Sequence, residues 1–260
     1  MRTAARMGLG AVIATVWPMV LMSAEANPSH DLVAPKHYPT IQAAAEAAEP
    51  GDRIPVRPGV HEEQAVIDKY VSITGSEARK TTILAPRTLV AGEDGGTSIV
   101  EIHSAASAAP AQLVVSGPGS GACSDGALGS GVRVLRGARL DLGHARVTHI
   151  TGTTAAPCPH SAVAAFVGDL PTRTGSVPIH DTEISDYQGS DVTVLNDRSS
   201  ATIVDSTVTG HPRLSTDGIG FVAGAVVQDN QRVGNHIGIY AGRRIRRPAG
   251  THQLVPDPSP

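Results

Sequence analysis

Aromatic side chains are nearly absent from this 260-residue chain, which has two Phe, four Tyr and one Trp. Carbohydrate clefts ordinarily offer aromatic faces for sugar stacking, and only Tyr38, Tyr70, Phe166, Tyr187, Phe221 and Tyr240 could do so here. Cysteine is equally sparse, with two residues and no CxxC, which excludes a thioredoxin-like redox centre. His144, His149, His160, His180 and His211 have neither HExxH nor paired Cys/His spacing, so no zinc motif is legible. Charge of one sign is lacking too: the net charge of −3 argues against a nucleic-acid binder. Beyond the N-terminus no apolar run approaches the ~20 residues of a membrane span.

The N-terminus has the pattern of a secretory signal over residues 1–26. Arg2 and Arg6 form a positive start, Leu9 to Met22 an apolar stretch with Pro18 near its end, and Ala24-Glu25-Ala26 a small-residue cleavage site before Asn27. The mature protein is then expected outside the cytoplasm, secreted, periplasmic or extracellular, as a monomer without a membrane span. In such a compartment Cys123 and Cys158 suggest one disulfide, which would close a loop of about 35 residues and stabilise by ~3 to 4 kcal/mol. Two unpaired thiols are the alternative.

What the chain does have is a repeat. In "ATIVDSTVTGH", Ala201, Ile203, Asp205 and Val208 fall on Val177, Ile179, Asp181 and Ile184 after a shift of 24 residues. A further shift of 37 reaches Leu140, Leu142, His144 and Val147, and a looped-out insertion around residues 151–159 accounts for the extra length. The apolar residues alternate and the filler is Thr, Val, Ile, Ser and Gly, so the unit is strand. A single unit cannot bury its inner face, whereas units stacked ~4.8 Å apart can, with like side chains over like. The expected fold is all-β, a parallel β-helix solenoid of roughly seven or eight coils at a period near 24. In the last coil a shift of 24 buries Arg232 and a shift of 25 points Gln228 inward, so a one-residue bulge near Gln228 is expected.

The domain is read as 37–242. It opens with "HYPTIQAAAEAAEPGDRIPVRPGVHEEQAVIDKYVSITG": Thr40 is a candidate N-cap, Ile41 to Ala48 an Ala-rich helix, and Pro50-Gly51 its stop. The period then changes to two at Ile54 and Val56, with Pro58-Gly59 as a turn. Such a helix would cover the solenoid's first coil. Residues 243–260 begin with the basic run Arg243 to Arg247 and continue as a Pro-rich tail expected to be disordered.

The order TIQAAAEAA, PGD, I-V, PGV-EE resembles the opening of secreted right-handed parallel β-helix proteins of the pectate lyase-like superfamily, which includes pectin methylesterases. In these a capping helix precedes a coil ending in a Pro-Gly-x-Tyr-x-Glu turn. Pro58, Gly59, His61 and Glu63 match, with His61 in place of the tyrosine. The resemblance implies right-handedness, export and a bias toward polysaccharides.

It does not supply a complete catalytic motif. For pectin methylesterases only Gln64-Ala65-Val66 and part of Gln228-Asp229 match, the former too early in the chain. Segments similar to those of polygalacturonases occur in order, at Asp217, Asp229, His236 and Arg246, but Asp217 and Asp229 are 12 residues apart, about half a coil. For a pectate lyase-like reaction the candidates are Asp181 and Asp205 as Ca2+ ligands and Arg198 as the base that takes the proton α to the uronate carboxylate. The competing reading makes Asp181, Asp205 and Asn230 a turn ladder that caps backbone N–H groups. Two functions follow: a lyase-like enzyme of acidic polysaccharides, or a non-catalytic cell-envelope or surface-binding β-helix.

Overall fold

The computed structural model describes residues 32–241 except 77–79, 93–94, 104–105, 119–126, 153–161, 170–171, 197, 211–216, 222–224 and 234–236. For 217–221, 225–226, 232–233 and 237–241 it describes the backbone alone. The signal, both cysteines and the tail from 243 lie outside the described residues.

Alternation of apolar and polar residues makes each segment a strand with one face to bury, and the chain buries it by winding. Every strand pairing is parallel, and successive strands of a sheet come from successive coils. The molecule is a right-handed parallel β-helix. Each coil passes in turn through a first, a second and a third sheet. Among the described residues the second and third sheets each hold seven strands, while the first is divided into a two-stranded and a six-stranded part.

The repeat read from the sequence is the register of the first sheet. Strand Gly175–His180 pairs with Ser200–Val204 so that Val177 meets Ala201 and Ile179 meets Ile203. The offset of 37 also holds, with Leu142 beside Ile179 and Val147 beside Ile184. Ile179, Ile203, Leu142, Ile184 and Val208 are all buried in one continuous core. The bulge expected near Gln228 is absent: Val204 pairs with Gln228 and Thr207 with Gln231, so the 24-residue register runs through and Arg232 is the register partner of Val208. The sheet keeps its hydrogen-bonded ladder in preference to the side-chain pattern of one residue.

The helix Ile41–Ala47 covers the first coil with Ile41, Ala44 and Ala45. Its exposed N-terminal N–H groups are met from two directions. Thr40 accepts from Ala43 N, and the two carboxylate oxygens of Glu63 accept from Ile41 N and Gln42 N at 3.0 Å each. The glutamate of the Pro-Gly-x-x-x-Glu turn is therefore the helix cap. At the other end Lys69 Nζ donates to the carbonyls of Glu46 and Ala48. His61, in the tyrosine position, reaches the carbonyl of Arg57 at 3.0 Å.

The corner between the first and second sheets is a two-residue column. Its first position is left-handed in five coils: Gln112, His144, Asp181, Asp205 and Asp229 have φ between 49° and 57°. Asp and His tolerate this region better than most residues. The second position points inward and carries the capping expected of the aspartates. Asn230 Oδ1 accepts from Ser206 N, Ser206 Oγ from Thr182 N, and Thr182 Oγ1 from Ala145 N. The turn ladder thus runs through Thr182, Ser206 and Asn230: Asn230 caps as expected, while in the two preceding coils the cap is the residue after Asp181 and Asp205, which are left exposed.

Two substitutions test these caps by urea unfolding. Glu63→Ala should cost about 1–2 kcal/mol, against less than ~0.5 for Glu62→Ala. Ser206→Ala, which strands the buried N–H of Thr182, should cost about 1–3 kcal/mol while Thr207→Ala stays near neutral.

Candidate functional site

The left-handed column decides where Asp181 points. With the strand twisted out of line at φ 50°, its carboxylate leaves the wall and meets side chains of the coil below. His180, the last residue of its strand, lies across that coil. Its Nδ1 is 3.1 Å from Asp181 Oδ2 and its Nε2 is 3.1 Å from Asp141 Oδ1. His144, the register partner of Asp181, brings Nε2 to 3.9 Å from the same Oδ2. The two imidazoles meet edge to face with centroids 5.6 Å apart. Gly143 makes room: a Cβ there would lie 2.4 Å from the His180 ring. The Asp181 hydrogen bond above all raises the His180 pKa over the ordinary 6.5; Asp141 adds to it by hydrogen bond and charge, and partial burial opposes.

A similar pair lies at the far end of the second sheet's strands, where His149 Nε2 sits 3.2 Å from Asp186 Oδ2. Both of these residues are left-handed as well. Thr148 Oγ1 touches His149 Nδ1 at 3.2 Å and Ser185 Oγ at 3.0 Å.

Asp205 occupies the position of Asp181 one coil on, by continuation of the register. Arg198 does not join them. It is exposed at the opposite end of strand Ser200–Val204, in the turn between the third and first sheets, where its N–H donates to Asn196 Oδ1. Six residues, 199–204, separate Arg198 from Asp205, roughly 20 Å along a strand and beyond the reach of one side chain. The sequence reading set His144 at the register position of Asp181 but counted neither it nor His180 among the site residues. The signal was present: the 37-residue shift that matches Val147 to Ile184 sets His144 over Asp181, and His180 precedes it directly.

The turn holding Arg198 recurs along the solenoid. Val134, Val167 and Val194 are register partners at the end of the third sheet, and each is followed by a turn bearing an arginine: Arg136, Arg173 and Arg198. They stand two, six and four residues after those valines, so they share the turn without being register partners. Asp169 takes Arg173 at 3.1 Å and lies 4.0 Å from Arg133. Arg133 is mostly covered and lies 4.5 Å over the ring of Phe166, its partner in the next coil. Gly96 allows that cover, since a Cβ there would touch the guanidinium at 2.4 Å.

Beside this edge the outer face of the third sheet holds a groove of about 390 Å3. Ala65 and Val66 contribute apolar surface, Val90 and Ala91 a rim, and Glu101, His103 and Arg136 its ionisable groups. Gln64 serves as the rim's clamp, accepting from Val90 N and donating to the carbonyls of Val90 and Ser98. Its resemblance to a methylesterase glutamine therefore has a structural explanation.

No protein-family profile matches the chain, and no curated protein is significantly similar to it. Solved structures do resemble it. A pectin methylesterase mutant in complex with a hexasaccharide aligns over 83% of this chain and 82% of its own, with 11% identity and a TM-score of 0.49. Another pectin methylesterase–hexasaccharide complex aligns over the same shares with 12% identity and a TM-score of 0.47. The PL6 family alginate lyase AlyGC aligns over 76% of this chain and 38% of its own, with 12% identity and a TM-score of 0.41. What they share with this chain is the β-helix.

Proposed function

We propose that this chain is an exported β-helix that binds an acidic polysaccharide lengthwise along the edge of its third sheet. The observation that carries the reading is the recurrence of an arginine, Arg136, Arg173 and Arg198, in the same turn of three successive coils, beside a face with a groove. A polyuronate is a line of regularly spaced carboxylates. Arginines recurring in one turn of successive coils, Arg173 among them held in place by Asp169, give such a polymer repeated positive charge, and arginine is suited to carboxylate recognition by its paired N–H donors. Phe166, partly exposed on the same face with Arg133 over one side of its ring, adds apolar surface there. Export is supported by the signal pattern of residues 1–26. Among the described residues no helix is long and apolar enough to cross a membrane.

Binding without turnover is favoured by the separation of Arg198 from Asp181 and Asp205. A lyase needs its base and its cation on the same uronate. Here the arginine edge and the aspartate column stand on opposite sides of the first sheet. If the protein does act on its polymer, Glu101 and His103 in the groove are better placed to move protons near Arg136 than Asp205 is.

Affinity electrophoresis in gels containing polygalacturonate, alginate or a neutral glucan tests this. Retardation is expected in the two acidic gels alone and should weaken with salt. Replacing Arg136, Arg173 and Arg198 together by Gln should weaken it at least ~10-fold. Equal retardation by the neutral glucan, or an unchanged triple variant, would refute the reading. Absorbance of unsaturated product, followed with calcium present, distinguishes a lyase from a binder.

A further inference from the structure

The corner formed by Asp141, His144, His180 and Asp181 has a composition that the polysaccharide reading does not use. Left-handed backbone alone accounts for His and Asp at positions 144 and 181. It does not account for His180, which sits in the strand before the corner and is held flat over Gly143 with each ring nitrogen against a different carboxylate. We propose that His144 Nε2, His180 Nδ1 and Asp181 Oδ2 form a binding site for a divalent transition metal of the zinc type.

Geometry is the first support. One donor atom from each of the three residues lies within 4.8 Å of the other two. Donors on a tetrahedral zinc ion at ~2.0–2.1 Å stand about 3.3 Å apart. The observed separations from Asp181 Oδ2, 3.1 Å to His180 and 3.9 Å to His144, bracket that distance, so small rotations of exposed side chains suffice. Donor chemistry is the second. Two imidazoles and one carboxylate match zinc better than calcium, which prefers six or more oxygens.

The third support is Asp141. Metal-bound histidines commonly donate their other ring N–H to a carboxylate, which fixes the tautomer and aims the free nitrogen. Asp141 holds His180 Nε2 in that way and leaves Nδ1 on the side of Asp181. Three protein donors leave the fourth zinc position to water. The His149–Asp186 pair has the same surface chemistry, but among the described residues no third donor joins it, which makes it an internal control.

Titration of the metal-free full chain with Zn2+ by calorimetry, and with Co2+ by visible absorption, tests the site. One ion per chain is expected, with the d–d bands of four-coordinate cobalt. His144→Ala and His180→Ala should each weaken binding at least ~10-fold, and Asp141→Asn by about 10-fold. His149→Ala should leave affinity unchanged, and circular dichroism should show all four variants folded, since these side chains are on the surface. Absence of stoichiometric binding, or an equal loss in His149→Ala, would overturn the proposal.

Discussion

Parallel hydrogen bonding between successive coils is the constraint on which the rest of this structure depends. A strand pairs with the strand of the next coil, so each residue sits about 4.8 Å above its register partner, and a side chain's environment is set by what occupies that position one coil away. Ile179 over Leu142 and under Ile203 is the consequence in the core. Thr182, Ser206 and Asn230, each taking the N–H of a neighbouring coil, are the consequence at a corner where no sheet bond is available. The same constraint overrules local pattern: Arg232 stays paired with Val208 because slipping by one residue would break the ladder.

It also explains how a chain with little aromatic surface builds long linear features. A residue type recurring at one register position becomes a line parallel to the axis, as with the left-handed corner from Gln112 to Asp229, and the arginines at 136, 173 and 198 recur in one turn of successive coils. The two lie on different edges of the first sheet. That separation divides the molecule into an edge suited to an anionic polymer and a corner suited to a cation, and it is why a combined site of Asp181, Asp205 and Arg198 is not assembled.

The fold was legible because alternation within a strand and a shift of 24 residues between strands both leave traces in one sequence. The shift of 37 was legible for the same reason: inserted residues leave the turns longer and the strands in register, as the span of 37 between Thr148 and Ser185 records. The capping helix was legible down to its last turn, but the role of Glu63 was not, because the partners Ile41 and Gln42 are more than 20 residues earlier. Of the corner, Asp181 and its register partner His144 were placed together, while His180 and Asp141 were not joined to them. His144 and Asp141 lie in the coil below, and nothing short of the register brings them to His180. Asn230 was found as a member of the ladder, but in the other two coils it was assigned one residue early, to Asp181 and Asp205, because only the backbone shows which of two adjacent residues points inward.

The register between adjacent coils is open to a direct measurement. Ser176 and Ser200 are partners whose hydroxyl oxygens lie 3.1 Å apart. Cysteines at both positions have the separation that a disulfide needs, whereas cysteines replacing Ser176 and Thr202, offset by two residues, lie about 8 Å apart between Cα atoms and exceed it. Peptide mapping after mild oxidation should find the bridge in the Ser176→Cys, Ser200→Cys variant and none in the Ser176→Cys, Thr202→Cys variant. A bridge in the offset variant alone would contradict the stacking from which the core, the arginine edge and the metal corner all follow.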